Sequence, residues 1–449
     1  MVKFLKNNWL FFVLLILTFL TRFLFLSYPA EVVFDEVHFG KFVSAYFTHQ
    51  YYFDIHPPLG KLMIAGFTKL FGFRGNFDFS KIGEVFDAQN LFILRFLPAL
   101  FGILFVLIIY QLVLIITSSK RIAFLAGFLI SFDNAILIES KFILVDIFLL
   151  FFGFLSLYLL FLARSKNKII YYILSAISAA LSLSIKWTGV SFLGLILVFL
   201  FFDAIKNKQI KQFLIKLAMF LFIPFLVYFS IFALHFNLLK KSGPGDAFMS
   251  IAFQKSLLES EVSNSNVKPL NLWQKFTELN HKMYFYSSTL KATHPFGSKW
   301  YQWPKMQKAI WYWTENLGSK RADIYLVGNI LTWFLAGISI LFALISVFIK
   351  KWRNKINPLI YLFLLGYFAN LLPFIFIGRV TFLYHYLPSL TFGILIFVFL
   401  TEKLLKNNYV YFLFLFLVIS VFLIFAPLTY GFPISLEINQ IYSKFINLF

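Results

Sequence analysis

Trp9-Leu10-Phe11-Phe12-Val13-Leu14-Leu15-Ile16-Leu17 opens an apolar run that continues to residue 28, and Phe34-Asp35-Glu36-Val37-His38-Phe39-Gly40 follows directly. A helix needs about 20 apolar residues to cross the hydrocarbon of a bilayer, and this run supplies them. Two adjacent carboxylates therefore stand where a membrane span meets water, a costly place for charge. Position alone does not separate a solvated loop from a functional pair. The neighbouring residues and the rest of the chain decide it.

The chain has 449 residues, of which 60% are hydrophobic, and a mean hydropathy of +0.82. Such a composition reads as an all-α integral membrane protein. The net charge of +21 does not mark a nucleic-acid binder, because the basic residues form no single patch. They cluster in short loops between apolar runs, as the positive-inside rule requires. With no cysteine, a disulfide framework and a thiolate metal site are both excluded. The weight of Phe, Ile, Leu, Lys and Asn fits an AT-rich, bacterial coding bias. Lys3 and Lys6 before the first run resemble a signal peptide, yet no small-x-small cleavage site follows. The expectation is a retained first span with a cytoplasmic N-terminus.

The length rule places about eleven spans, near residues 9–28, 93–116, 122–138, 142–162, 169–185, 187–203, 215–236, 324–349, 357–377, 383–400 and 409–427. The charges support that layout. One set of loops holds Lys120-Arg121, then Arg164, Lys166 and Lys168, then Lys206, Lys208, Lys211 and Lys216. Lys350, Lys351, Arg353 and Lys355 follow, and then Lys403 and Lys406. Those loops are cytoplasmic, and an odd span count leaves the C-terminus outside. Two long extracytoplasmic loops result, 29–92 and 237–323, in one transmembrane domain covering 1–449. Nearly all the unusual polar chemistry falls on that face, which suits an enzyme better than a channel. No internal repeat marks an inverted-topology transporter. Asp133, Lys141, Asp146 and Lys186 interrupt the apolar runs, each at a cost of roughly 2.5–3.5 kcal/mol at the centre of a lone helix. Lys141 and Asp146, five apart, are poorly placed to pair on a helix, so cavity lining is expected.

Four constellations carry chemistry. Asp35 and Glu36 point about 100° apart on a helix, so they cannot share one task; one can serve as a base for a hydroxyl nucleophile while the other orients it. His38 and His56 are the nearest imidazoles, and His56-Pro57-Pro58 is a rigid turn that can aim His56 back at the carboxylates before a short amphipathic helix at 59–71. Metal ligation by this set has no spacing signature behind it and ranks below acid–base work. Ser242-Gly243-Pro244-Gly245-Asp246 forms a turn. Farther on, Thr293-His294-Pro295 precedes Lys299-Trp300-Tyr301-Gln302-Trp303-Pro304. Those rings fit an interfacial aromatic belt, or a seat for an anionic lipid headgroup with Lys299 on the phosphate. Gly378-Arg379 and Tyr384-His385 lie on the same face, and Arg suits bidentate phosphate contact.

Together these segments resemble the protein O-mannosyltransferase family. The resemblance rests on Phe34-Asp35-Glu36-Val37-His38-Phe39-Gly40, Asp54-Ile55-His56-Pro57-Pro58-Leu59, Phe132-Asp133-Asn134-Ala135 and Ser140-Lys141-Phe142-Ile143-Leu144-Val145-Asp146. It continues through Lys186-Trp187-Thr188-Gly189, Gly245-Asp246-Ala247-Phe248-Met249-Ser250, His294-Pro295, Trp300-Tyr301-Gln302-Trp303-Pro304 and Phe382-Leu383-Tyr384-His385-Tyr386-Leu387-Pro388. It implies a GT-C fold with eleven spans and an inverting transfer of mannose from polyprenyl-phosphate mannose to Ser/Thr hydroxyls of secreted or membrane proteins. By the same resemblance Asp35 is the base and Glu36 helps position the reacting groups. Lys141, Lys299, Arg379, His385, Trp300, Tyr301 and Trp303 would hold the donor, supported by His38, His56, Asp246, His294 and Tyr384. Membrane lipids and the secretion translocon are further partners it implies; no cofactor, metal or nucleic acid is expected, and the location is a bacterial plasma membrane. Lys141 and Lys299 stand where Arg is expected in much of the family, which keeps charge but loses the planar fork. Loop 237–323 is too short and too helical in pattern for the β-trefoil MIR domain of eukaryotic members. The competing readings are transfer of the same kind of sugar to a lipid or glycan, and a lipid-linked sugar transporter.

Overall fold

Each apolar run becomes a helix, and the polar interruptions decide where helices break. The computed structural model describes residues 7–262, 266–289 and 293–448; Lys3 and Lys6 lie outside them. Helix α1 (Trp9–Phe23) leads to α2 (Glu36–Thr48) and α3 (Leu59–Leu70). The helices α4 (Ala88–Thr117), α5 (Lys120–Ser131), α6 (Asn134–Lys141), α7 (Asp146–Lys166), α8 (Ile169–Leu183), α9 (Val190–Asn207) and α10 (Ile210–Leu238) come next. After α11 (Leu272–Thr289), strands β1 (Ile310–Leu317) and β2 (Lys320–Leu326) form a hairpin. The chain ends with α12 (Ile330–Phe348), α13 (Leu359–Leu371), α14 (Leu387–Thr401), α15 (Asn408–Tyr430), the two-residue β3 (Ile434–Ser435) and α16 (Leu436–Leu448).

All eleven expected runs have a helical counterpart. By length and apolarity eight described helices can cross a membrane, or nine with α5 and α6 counted as one span bent by 65°. Helices α1 and α8 are apolar but only 15 residues long, short of the usual span. The bend lies at Asp133, which caps α6 by accepting the Ile136 amide at 3.0 Å. Its second oxygen accepts the Asn329 amide and the Trp333 indole at 3.1 and 2.8 Å.

Two expectations need correcting. The run at 142–162 starts helical only at Asp146, because residues 142–145 are not helical. The run at 324–349 begins at Ile330, because the preceding residues belong to β2. The second long loop is therefore not simply helical. Its hairpin carries a β-bulge: Trp311 pairs with Tyr325 and Trp313 with Ile324, so Tyr312 is the extra residue. A bulge re-aims a side chain out of the ladder, and here it aims Tyr312 at the first loop. The two long loops bond to each other, through Tyr51 to Lys241 and Phe34 to Tyr312.

Candidate active site

Asp35 stands at the N-cap of α2, where an Asp ordinarily accepts an amide hydrogen bond. Here its carboxylate makes no capping bond and has no ion-pair partner among the described residues. It is partly exposed. Burial raises its pKa from 3.8 to about 7; Lys186 opposes that rise, while Asp146 and Asp54 add to it. A free carboxylate that titrates near neutrality is what a general base requires.

Glu36 has the opposite surroundings. Its oxygens accept Arg95 Nε and Nη2, both at 2.8 Å, and the amides of Val33 and Ile143 at 2.9 and 3.0 Å. Both side chains of the pair are fully buried. Arg95 also donates to the carbonyls of Pro29 and Glu31. Glu36 thus ties the first loop to α4 and to the break after α6. Of the two carboxylates read as catalytic candidates, Glu36 has both oxygens taken up by Arg95 and backbone amides, which fixes the place of its neighbour. Phe34, held between them and the hairpin, has φ of 39°. Such backbone costs on the order of 1–3 kcal/mol and persists only where its surroundings enforce it. The enforcement is visible: the Phe34 amide donates to the Tyr312 carbonyl at 3.0 Å, and the two rings stack at 4.4 Å.

The floor of the site is a charged layer that sequence reasoning left unpaired. Lys186 donates to both oxygens of Asp146 at 2.9 and 2.6 Å and lies 4.9 Å from the Tyr384 ring. Tyr312 donates to Glu139 at 2.5 Å. Lys141 does not pair with Asp146. Its ammonium donates to the Leu24 carbonyl at 2.6 Å and sits 4.3 Å from the Tyr430 ring. It clamps the end of α1, and the donor-contact role assigned to it is withdrawn.

The His-Pro-Pro turn is locked from both ends. Asp54 accepts the His56 amide at 3.2 Å and pairs with Lys61, which also donates to the His56 carbonyl at 2.9 Å. The Leu59 amide bonds to Ser184, and Gly60 packs so closely on Val145 that a Cβ would lie 2.7 Å from it. This carries His56 to Lys186. Burial, then the charges of Lys186, Arg379 and Lys61, hold the imidazole well below its ordinary pKa. His56 is therefore neutral wherever Asp35 is ionised. His38 is exposed on α2. Asp246 belongs to the turn packed on Tyr51–Phe53 and accepts Ser242 at 2.5 Å.

A cavity of about 750 Å³ lies beside this layer, lined by His294, Lys299, Trp300, Tyr301, Arg379 and Thr381 among others. Ser298 and Thr381 staple its two walls through bonds of 2.6 and 2.8 Å. Lys299 is exposed, and among the described residues Arg379 Nε is buried without a partner. His385 Nε2 is likewise buried with no partner among the described residues. Arg379 stands near enough to His56 and Tyr384 to perturb both, and Tyr384 also faces Asp35. Trp303 is a correction. It is fully buried behind the cavity, stacked on His385 at 5.8 Å and bonded to Ser298. Sequence reading expected Lys186 and Asp146 to line a cavity but missed Arg95 and Tyr312 as members of the site. A lone cation inside an apolar run was the available signal for Arg95.

Residues 12–240 match the family model described as dolichyl-phosphate-mannose-protein mannosyltransferase. Residues 272–445 match the C-terminal four-span region of protein O-mannosyltransferase. Protein O-mannosyltransferase 1 of Drosophila melanogaster is 36% identical over 272 residues, 57% of this chain and 31% of the relative. Dolichyl-phosphate-mannose–protein mannosyltransferase 1 of Saccharomyces cerevisiae is 32% identical over 283 residues, 60% of this chain and 35% of the relative. The matched stretch thus spans about a third of those longer proteins. In fold, the chain is similar to the S. cerevisiae protein O-mannosyltransferase Pmt1-Pmt2 complex bound to the sugar donor, with a TM-score of 0.88 at 20% identity over 97% of this chain and 91% of that one. The oligosaccharyltransferase of Archaeoglobus fulgidus shares the GT-C fold more distantly, with a TM-score of 0.52 at 15% identity over 95% of this chain and 53% of that one. Matched across more than half its length by the first of these models, the chain belongs to the dolichyl-phosphate-mannose-protein mannosyltransferase family.

Proposed function

We propose that the protein transfers mannose from polyprenyl-phosphate mannose to Ser or Thr hydroxyls of proteins, with inversion at the anomeric carbon. The observation that carries this is Asp35: a partly exposed carboxylate with no ion-pair partner among the described residues, raised to a pKa of about 7, and facing Tyr384, which Arg379 of the cavity also faces. Asp35 takes the hydroxyl proton as the oxygen bonds to the anomeric carbon. The bond from that carbon to the phosphate oxygen breaks, and polyprenyl phosphate leaves. Phosphate is a stable anion, so Arg379 and Lys299 offset its charge and no general acid is needed. Trp300 and Tyr301 border the sugar or the lipid at the cavity rim. The scheme calls on no resident cofactor or metal.

The membrane placement belongs to the same proposal. The basic loops at 120–121, 164–168, 206–216, 350–355 and 403–406 lie in the cytoplasm of a bacterial cell, and the site faces outward. The N-terminus is then cytoplasmic and the C-terminus extracytoplasmic, and acceptors reach the site from a secretion translocon. Donor lipid reaches the cavity through the surrounding bilayer.

The test is mannose transfer by purified protein from synthetic polyprenyl-phosphate mannose to a Thr peptide and, in parallel, to a lipid or glycan acceptor. Transfer to peptide is expected, with Asp35→Asn lowering turnover by about 10²–10⁴. Near-normal turnover in that variant removes Asp35 as the base, and transfer only to the lipid acceptor replaces the acceptor class.

A further inference from the structure

Helix α2 exposes one stripe. Glu36, Phe39, Gly40, Val43, Ser44 and Tyr46 are buried, whereas His38, Lys41 and Thr48 are exposed and Phe42 and Ala45 half-buried. Spacings of three and four place Asp35, His38, Lys41, Phe42, Ala45 and Thr48 along one side of the helix. The stripe begins at the free carboxylate and runs into a second cavity, of about 420 Å³, distinct from the one that holds Arg379.

This second cavity has three walls: α2 itself, residues Gly75 to Asp78, and the Pro244–Gly245 turn against the extended segment at Gln50–Phe53. Phe42 and Tyr52, stacked at 4.5 Å, close its inner side. Lys61, which is buried and does not line it, holds its ammonium 5.7 and 5.8 Å from those two rings while bonding to the His56 carbonyl. One aromatic layer therefore separates the cavity from the His56 turn. Polar groups around it are left open: among the described residues Lys41, Gln50 and Asp78 make no side-chain hydrogen bond or ion pair.

We propose that this cavity is an acceptor subsite: it takes an apolar or aromatic side chain of an extended polypeptide whose hydroxyl lies at Asp35. The inference rests on the transfer reaction proposed above. Seven residues of helix separate Asp35 from Phe42, about 10 Å. An extended peptide advances about 3.3 Å per residue, so its third residue from the modified Ser or Thr arrives at the cavity. Phe42, Tyr52, Phe53 and Phe77 offer aromatic faces to that side chain.

The experiment uses the full chain in detergent micelles, polyprenyl-phosphate mannose, and peptides with one Thr and either Phe or Gly at each position out to four residues on both sides. In the wild type, Phe at one position three residues away raises kcat/KM by about tenfold over Gly. Ala45→Trp and Thr48→Trp, which fill the cavity from α2, abolish that ratio; general damage to the fold lowers both peptides alike and leaves the ratio intact. An unchanged ratio in both variants overturns the subsite while leaving the reaction standing. A wild type that glycosylates no peptide overturns the reaction instead. The subsite is then decided by a peptide carrying benzoylphenylalanine at the third position: adducts at residues 41–53 or 244–248 retain it, and adducts elsewhere remove it.

Discussion

Asn in place of Asp35 should make this protein more stable and nearly inactive, and the gain should depend on pH. In the unfolded chain Asp35 ionises near 3.8, whereas in the fold it ionises near 7. Ionisation therefore favours the unfolded state, and wild-type stability falls as pH rises from about 4 to about 7, then stays low. Three pH units at 1.36 kcal/mol each correspond to about 4 kcal/mol. The carboxylate is partly exposed, and solvent screening reduces this to roughly 2 kcal/mol. Asp35→Asn escapes that penalty, so it should match the wild type near pH 3.5 and exceed it at pH 8 by a few degrees in Tm. Thermal unfolding followed by tryptophan fluorescence in detergent micelles measures both conditions. Turnover of the wild type should climb with pH through a midpoint near 7, since only the carboxylate can accept the proton. His56 adds no second limb there, because it is already neutral. A variant no more stable than the wild type at pH 8 would refute the picture of a desolvated, partnerless base.

Glu36→Ala strands the Arg95 guanidinium in a fully buried place and releases the amides of Val33 and Ile143. A loss of about 3–5 kcal/mol in unfolding free energy is expected, read from denaturant or thermal melts; a loss under 1 kcal/mol would deny that this pair holds the loop. Arg379→Ala should raise the apparent KM for polyprenyl-phosphate mannose about tenfold with kcat changed less, because one charge-assisted phosphate contact is removed. Steady-state kinetics over donor concentration checks this, and an unaltered donor KM would take Arg379 out of the phosphate seat.

Some of this was legible from residues alone. The apolar runs placed the helices to within a few residues, since burial in hydrocarbon leaves few alternatives. The cost argument also marked Asp133, Lys141, Asp146 and Lys186 as residues needing a partner. It did not say which partner. Asp146 found Lys186, forty residues away, because the end of α8 packs beside the start of α7. Lys141 found a backbone carbonyl on α1 and a ring on α15, which no local spacing encodes. The hairpin could have been suspected from Ile310 to Trp313 and the turn glycine Gly318, which has φ of 67°. The bulge that turns Tyr312 toward Phe34 could not, because it is a mismatch between two strands and belongs to neither one.

Adjacent carboxylates with opposite fates explain why the site is built as it is. A base is useful only if its lone pairs are free, yet a free carboxylate beside a helix N-terminus tends to capture the nearest amide. Here the competition is removed. The Val37 and His38 amides that an N-cap carboxylate would take already donate to the carbonyls of Phe34 and Asp35, while Glu36 accepts the amides of Val33 and Ile143 and binds Arg95 through both oxygens. That leaves Phe34 at a positive φ pressed on Tyr312, and it leaves Asp35 with an αR backbone and no capping bond. Lys186, the cation that would neutralise Asp35, is already held by Asp146 and can pull on it only from a distance. The neighbouring carboxylate and the cation that acts most on Asp35 are thus both committed elsewhere. The strain at Phe34 and the two buried ion pairs are therefore parts of one device, and loosening either pair should lower activity by letting Asp35 find a partner.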